Sequence, residues 1–303
     1  MKHTLNVTVL LLLLFFASQL IGLIITLKYI DVKTTQETGK PSFSNLPFEI
    51  ERPPLEEKTS FLYIFGAIIM GTLLVLLLIK LKTRFLWKAW FFLAVMLSLS
   101  IALAAFFPAS LALVIAVGLA LWKILRPNML IHNLTEIFLY GGIAAIFVPL
   151  VNVSAAIILL ALISAYDIIS VWKTKHMVAL AKFQTQQKLF AGLVVRYKSP
   201  SECAAQDKQK SKKKSPSAAR SSAILGGGDM GFPLLFAGVI LKTLITTSSP
   251  AIAMLKTIII PIGATGALAY LFWISKKGKF YPAMPFLTGG CFLGALVVWL
   301  IRW

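Results

Sequence analysis

Long runs of apolar residues, repeated along almost the whole chain, constrain this sequence more than any other feature. The first run, LNVTVLLLLLFFASQLIGLIITL, begins at Leu5 and ends at Leu27. It exceeds the roughly 7 to 15 apolar residues of a secretory signal and fits a helix that crosses a bilayer, which takes about 20 residues. Because 58% of the 303 residues are hydrophobic and the mean hydropathy is +0.84, the chain is too apolar for a soluble domain. The sequence therefore predicts a polytopic membrane protein.

The apolar runs can be counted as membrane spans. The fourth and fifth are the weakest, because each carries a charge near one end, Lys123 or Glu136. We predict an all-α fold with nine transmembrane helices in a single membrane domain, residues 1–303. The predicted spans are 4–27, 61–81, 87–106, 108–125, 134–151, 153–173, 228–247, 250–274 and 283–302. Helices one to six lie in 1–173, a basic loop in 174–227, and helices seven to nine in 228–303.

The positive charges predict the orientation of the spans. The net charge is +19, and 22 of the 30 Lys and Arg residues fall on the side of the N-terminus, against 6 on the opposite side. Positive residues are enriched in cytoplasmic loops. We therefore expect a multi-pass protein of the cell membrane with a cytoplasmic N-terminus and an external C-terminus.

The loop between spans six and seven is strongly basic. Its segment QDKQKSKKKSPSAARSS contains few apolar residues, which predicts a flexible stretch attracted to anionic lipid headgroups. No nucleic-acid-binding motif accompanies it, so a nucleic-acid partner is not expected. The two cysteines, Cys203 in this loop and Cys291 in the ninth span, would lie in different phases, which argues against a disulfide.

Three of the 11 acidic residues remain inside the membrane once the loops are assigned: Glu136, Asp167 and Asp229. Glu136 lies at the cytoplasmic end of the fifth span, where we predict a structural role near headgroups or at the helix N-terminus. His132 and Glu136 have the i, i+4 spacing of two metal ligands, but with no third ligand nearby no metal is expected. His176 is assigned to the membrane interface.

Asp167 and Asp229 are brought together by the predicted topology. Asp167 precedes the cytoplasmic end of span six, and Asp229 enters span seven from the same side. Two adjacent carboxylates in a low dielectric share one proton, which supplies an acid and a base side by side. Gly226 and Gly228 remove side chains just before Asp229, so that a substrate backbone or a neighbouring helix can approach closely.

Three motifs carry a resemblance to a known family. They are the dipeptide Tyr166-Asp167, the GGGD of residues 226–229 and the PAMP of residues 282–285. In this order they resemble the motifs of the presenilin and signal-peptide-peptidase superfamily of GxGD intramembrane aspartyl proteases, and most closely those of archaeal presenilin homologues. The resemblance covers the whole chain and implies a presenilin-like fold. Met284 departs from the leucine that the family has in its Pro-Ala-Leu motif.

The resemblance also implies a function. Asp167 and Asp229 would form the catalytic dyad of an intramembrane aspartic endopeptidase that needs no cofactor or metal. Pro282, Ala283 and Met284 would line the site where transmembrane-helix substrates dock. Tyr166 is interpreted either as a hydrogen-bond donor to the neighbouring acid or as an interfacial anchor.

Two other functions are compatible with intramembrane acids. A proton-coupled transporter would use the same carboxylates as a cation site. A catalytically silent scaffold would bind membrane segments without cutting them. No partner subunit or oligomeric state is predicted.

Overall fold

The structure is a computed structural model that describes residues 5–81, 84–174, 190–197, 221–275 and 281–301, together with the single positions 180 and 184. It is mainly helical. The helices are α1 Leu5–Tyr29, α2 Val32–Thr38, α3 Ser60–Leu81, α4 Arg84–Ala104, α5 Ala109–Leu125, α6 Met129–Phe147, α7 Val153–Ile168, α8 Gly227–Ile245, α9 Pro250–Thr257, α10 Ile259–Ile274 and α11 Met284–Leu300. The strands are β1 Gly192–Tyr197 and β2 Ser221–Gly226, and a π-helical turn, Ile169–Lys173, extends α7.

Seven helical segments in the described part of the chain are long and apolar enough to cross a membrane. They contain α1, α3, α4, α6, α7, α8 and the continuous pair α9 and α10. Two more apolar helices, α5 and α11, are shorter at 17 residues each. They coincide with the predicted fourth and ninth spans, so the count of nine stays a prediction.

Large apolar side chains cover the outside of the helix bundle. Examples on four different helices are Leu77, Val114, Leu255 and Leu293, each more than half exposed. Soluble monomers rarely expose apolar surface on this scale. This surface suits contact with lipid, as the sequence predicts.

Helix α8 lies at the centre of the bundle and packs against α1, α6, α7, α10 and α11. Its side chains Leu234, Phe236, Val239 and Leu241 are buried. Helix α3 is the least buried of the seven candidate spans and packs mainly on α7. The helix that begins in the GGGD motif is therefore, together with α6, the most buried of the candidate spans in the described part of the chain.

Helix α7 has a defined start. The Asn152 side chain caps it by accepting a hydrogen bond from the backbone N–H of Ala155 at 2.8 Å. Such a cap satisfies one of the N–H groups that have no partner within the helix. With its start fixed, α7 carries Asp167 in its last turn.

A two-stranded antiparallel sheet corrects the all-α prediction. In its register Gly192 faces Gly226, at the end that leads directly into α8. Leu193, Val195 and Leu225 are buried, in the alternation of a strand with one face on the core. Each strand has only six residues, too few for this period to stand out against the long apolar helices.

The sheet falls inside the segment 174–227 that we predict as a partly flexible loop. The prediction of flexibility for the basic stretch, and the interfacial role of His176, lie outside the described residues. Cys203 lies outside them as well. Cys291 is a buried free thiol on α11.

The charges that weaken the fourth and fifth predicted spans lie together in the structure. Lys123 on α5 forms an ion pair with Glu136 on α6, and both side chains are buried. Glu136 therefore does not reach lipid headgroups, and since α6 begins at Met129 it lies beyond the first turn as well. Both locations predicted for it are wrong. Each charge can enter the bundle because the other neutralises it.

Candidate active site

Asp229 lies in the first turn of α8, which begins directly after β2. Gly226 is the N-cap of this helix, and its backbone N–H donates a hydrogen bond to Asp229. A carboxylate that reaches back from the third helical position to the N-cap N–H is one half of a capping box. This bond helps to fix the half-buried carboxylate at the junction between strand and helix.

Asp167 is held from a different direction. Its side chain is 8% exposed, and its Oδ2 accepts a hydrogen bond from the backbone N–H of Met284 at 3.1 Å. The Ala283 N–H also donates to this carboxylate. Met284 is the first residue of α11, so Asp167 satisfies the free N–H groups at the start of that helix.

The two carboxylates are close enough to interact electrostatically. Helix α7, which carries Asp167, packs against both α8 and α11. A hydrogen bond between Ser164 and Thr288, 2.7 Å between the hydroxyl oxygens, joins α7 to α11 within one turn of the site. The structure thus brings together Asp167, Asp229 and the start of α11.

The three glycines before Asp229 have different surroundings. A Cβ on Gly226 would lie 3.2 Å from the Asp229 Oδ2, and one on Gly227 would collide with the Tyr140 hydroxyl. A Cβ on Gly228 would make ordinary contact with Phe232 at 3.4 Å. The glycine with the least space for a side chain is therefore Gly227, which occupies the variable position x of the Gly-x-Gly-Asp pattern.

Tyr166 points its hydroxyl toward α3. The hydroxyl donates to the Thr72 Oγ1 at 3.3 Å, and the ring packs edge to face on Phe65 with centroids 6.2 Å apart. These contacts join the residue beside Asp167 to the least buried helix of the bundle.

The Pro-Ala-Met segment also contributes to the site. Pro282 and Met284 are buried, Ala283 is half-buried, and α11 begins at Met284. The backbone of this segment supplies the N–H groups that bind Asp167. Pro285, directly after Met284, lies in the first turn of α11, where the missing N–H of proline leaves no helical bond unmade.

Sequence reasoning missed one group of residues at the site. Tyr140 on α6 lies within electrostatic reach of Asp229, and its hydroxyl donates to the Glu136 Oε2 at 2.5 Å. The i, i+4 spacing of Glu136 and Tyr140 places them on one helix face. That spacing is visible in the sequence, but it is too common in helices to indicate a site.

A metal ligand set is not found in the described part of the chain, where no three His, Cys, Asp or Glu residues cluster. His132 instead lies 2.8 Å from the carbonyl oxygen of Gly192, measured from its Nε2. Since a carbonyl only accepts, the His132 ring donates this bond and helps to hold β1 on α6.

The arrangement suits proton transfer. Two carboxylates that interact in a water-poor site hold a single proton between them, so one is an acid while the other is a base. A water molecule bound to both can lose a proton to the base while the acid donates to a carbonyl oxygen.

Comparisons with known proteins give the family of the chain. Residues 9–302 match the family described as signal-peptide peptidase, presenilin aspartyl protease. A search of curated proteins found no match.

Two solved structures have the same overall fold. A presenilin family intramembrane aspartate protease crystallised in space group C222 superposes with a TM-score of 0.62 at 19% identity, covering 97% of this chain and 99% of that chain. A presenilin family intramembrane aspartate protease in space group P2 gives 0.58 at 20% identity, with 96% and 97% covered. The predicted presenilin-like fold is confirmed. Because the family match extends over nearly the whole sequence, this chain belongs to the signal-peptide peptidase and presenilin family of aspartyl proteases.

Proposed function

We propose that this protein is an endopeptidase that hydrolyses peptide bonds within transmembrane segments, with Asp167 and Asp229 as its catalytic dyad. The observation that carries the proposal is that the two carboxylates lie within electrostatic reach of each other in a bundle of membrane-length helices. The family match supports aspartyl protease chemistry for this pair.

The proposed reaction uses one water and one shared proton. The ionised aspartate takes a proton from water while the protonated aspartate donates its proton to the scissile carbonyl oxygen, and the water oxygen bonds to the carbonyl carbon. The resulting gem-diol collapses when the protonated carboxyl donates its proton to the amide nitrogen, a gem-diol hydroxyl gives its proton to the other carboxylate, and the C–N bond breaks. The products are a carboxyl and an amine, and the dyad again holds one proton.

Substrate would bind beside the sheet. Among the described residues β2 pairs with β1 alone, so its second edge has no strand partner there. An extended peptide can add to such an edge through main-chain hydrogen bonds. The edge ends at Gly226, next to the exposed Gly228, so a bound strand would run toward Asp229.

We assign the protein to the cell membrane as one membrane domain, with the site near its cytoplasmic face. The distribution of Lys and Arg, 22 against 6, supports this orientation. Transmembrane-helix proteins and the lipid bilayer are then its partners.

The test is cleavage of a labelled single-span substrate by protein reconstituted in liposomes. Asp167→Asn and Asp229→Asn keep the size of the side chain but cannot share a proton, so each should lower cleavage by at least about a thousandfold. The matched control is Asp31→Asn in the loop after α1. There the Thr34 hydroxyl holds the pKa of the carboxyl below its usual value, so this change also removes a charge.

The same preparation separates the other functions. Proton flux without cleavage would favour a transporter, and substrate binding without cleavage or flux would favour a scaffold. Either result, or near-normal cleavage by an Asp167 or Asp229 variant, would overturn the proposal.

A further inference from the structure

A buried ion pair lies close to the dyad but does not belong to it. The side chains of Lys123 and Glu136 are each 1% exposed, and they form a charged contact between α5 and α6. The Lys123 ammonium also lies 5.5 Å from the centre of the Phe91 ring. A buried ion pair often contributes little net stability, because desolvation offsets the attraction between the charges. Net stability alone therefore does not account for the burial of Lys123 and Glu136, which indicates a second role for the pair.

Glu136 makes two further bonds on its other oxygen. Its Oε1 faces Lys123, while its Oε2 accepts from the Tyr140 hydroxyl at 2.5 Å and from the Gly192 backbone N–H at 2.8 Å. One carboxylate thus joins three elements: helix α5, helix α6 and strand β1.

Both groups that donate to the Glu136 Oε2 lie beside the segment that precedes Asp229. Gly192 pairs with Gly226 in the sheet register, and the Gly227 N–H donates to the Ala191 carbonyl at 3.0 Å. The Tyr140 hydroxyl lies directly against Gly227. The partners of Glu136 therefore border Gly226 and Gly227 on two sides.

The backbone around Gly192 is fixed by its conformation and by hydrogen bonds to α6. Gly192 has a φ of 132°, a conformation that residues with a Cβ rarely adopt, and its N–H is directed at Glu136. Asn133, one turn earlier on α6, binds both the N–H and the carbonyl of Val194, at 3.0 and 2.9 Å. Asn133 can hold the strand on α6, whereas Glu136 contacts the end of the strand next to the dyad.

We propose that Glu136 is a positioning residue for catalysis: by accepting from Gly192 and Tyr140 it fixes the Gly226-Gly227 turn and thereby the place of Asp229. Lys123 supplies the charge that lets Glu136 stay buried with Oε2 free to accept. The inference rests on the proposed role of Asp229. A small displacement of a reacting group is enough to lower a rate by about a hundredfold.

Two double variants separate the hydrogen-bond acceptor at position 136 from the charges of the ion pair. Lys123→Met/Glu136→Gln removes both charges but keeps an amide oxygen that can accept from Gly192 and Tyr140. Lys123→Met/Glu136→Leu removes the charges and the acceptor together. With a single-span substrate in detergent, the Leu variant should have a kcat at least about tenfold below that of the Gln variant, with KM values within about twofold.

The single change Glu136→Gln has its own expected result. With Lys123 present, the amide oxygen should turn toward the ammonium and the NH2 group toward the Gly192 N–H, which is itself a donor and loses its acceptor. The kcat of Glu136→Gln should therefore lie below that of the Lys123→Met/Glu136→Gln variant. Thermal unfolding of both variants separates this from stability: a rescue of kcat between variants that are both fully folded at the assay temperature is not expected if the pair only stabilises the fold.

The matched control is a second buried lysine on the same bundle. Lys242 on α8 binds Glu57 and the Pro149 carbonyl at 3.2 and 3.3 Å, about 20 Å along the helix from Asp229. Lys242→Met should lower the melting temperature and leave kcat within about twofold of the parent enzyme. This control measures how far loss of a buried lysine and its ion pair alone affects the rate, since Lys242 is buried while its partner Glu57 is exposed.

The outcomes are distinct. Equal kcat values for the folded Gln and Leu double variants would overturn the positioning role. If the Leu variant does not fold, Tyr140→Phe replaces it: this change removes one hydroxyl and should lower kcat at least about threefold at unchanged KM, and a parental kcat would overturn the inference. Failure of the proposed function would appear separately, as cleavage by Asp229→Ala.

Discussion

Asp167 combines a proposed chemical role with a structural one. Its carboxylate interacts with Asp229 and also accepts hydrogen bonds from the start of α11, including that of the Met284 N–H at 3.1 Å. The side chain that would handle a proton therefore also anchors a helix. Substitutions at this residue need to be chosen so that the two roles can be told apart.

We predict that Asp167→Ala abolishes cleavage and lowers the free energy of unfolding by about 1 kcal/mol, the usual cost of removing a helix cap. Asp167→Asn should recover most of this stability, because its amide oxygen can still accept from Met284, but it should not recover cleavage. Thermal unfolding in detergent, measured beside cleavage, checks both. Equal stability of the two variants would contradict the capping role.

The pair also predicts a pH profile. If Asp167 and Asp229 share one proton, cleavage should fall on the acid side as the base is protonated and on the alkaline side as the shared proton is lost. The bell shape belongs to the pair, since neither limb can be assigned to one residue. The measurement is kcat/KM against pH in a detergent that preserves the fold. A flat profile between about pH 4 and 9 would exclude proton transfer by the pair.

At the level of helices and strands, the sheet is the element that sequence reasoning missed. Its strands are short, and β1 depends on side chains of α6: Asn133 binds Val194, and Glu136 binds Gly192. These contacts join residues about 60 positions apart. No local sequence pattern indicates these contacts, so the two-stranded sheet and the buried ion pair could not be predicted from the sequence.

The attachment of β1 to α6 predicts how the chain tolerates a shorter connection. Deleting residues 205–220 should leave kcat within about threefold of the parent enzyme, because β1 is held by α6 and β2 continues directly into α8. The assay is cleavage of a single-span substrate in detergent, with the fold checked by thermal unfolding. Loss of activity in a folded deletion variant would show that the segment acts on the substrate.

For the whole molecule, the features that could be predicted are those fixed by the membrane and by chain order. Apolar length predicts the helices, and alternation across the bilayer places Asp167 and Asp229 at the same end of neighbouring helices. The structure packs α7 against α8 and brings the two carboxylates within electrostatic reach of each other. The residues that surround the two carboxylates are brought together by tertiary packing, which the sequence does not show. Buried Lys123 and Lys242 only weaken an apolar run in the sequence, whereas in the structure each has a glutamate partner.

The last prediction concerns the orientation of the bundle. Asp229 follows the basic loop by a few residues, so the side of the membrane that holds the loop also holds the proposed dyad. With 22 Lys and Arg on that side and 6 on the other, a reporter fused after Lys213 should be cytoplasmic and one fused after Trp303 external. Alkaline phosphatase, active only outside, and green fluorescent protein, fluorescent inside, give opposite readouts at each position. The reversed pattern would place the dyad near the external face, in the orientation of signal peptide peptidases, and would reverse the direction in which a substrate helix must enter.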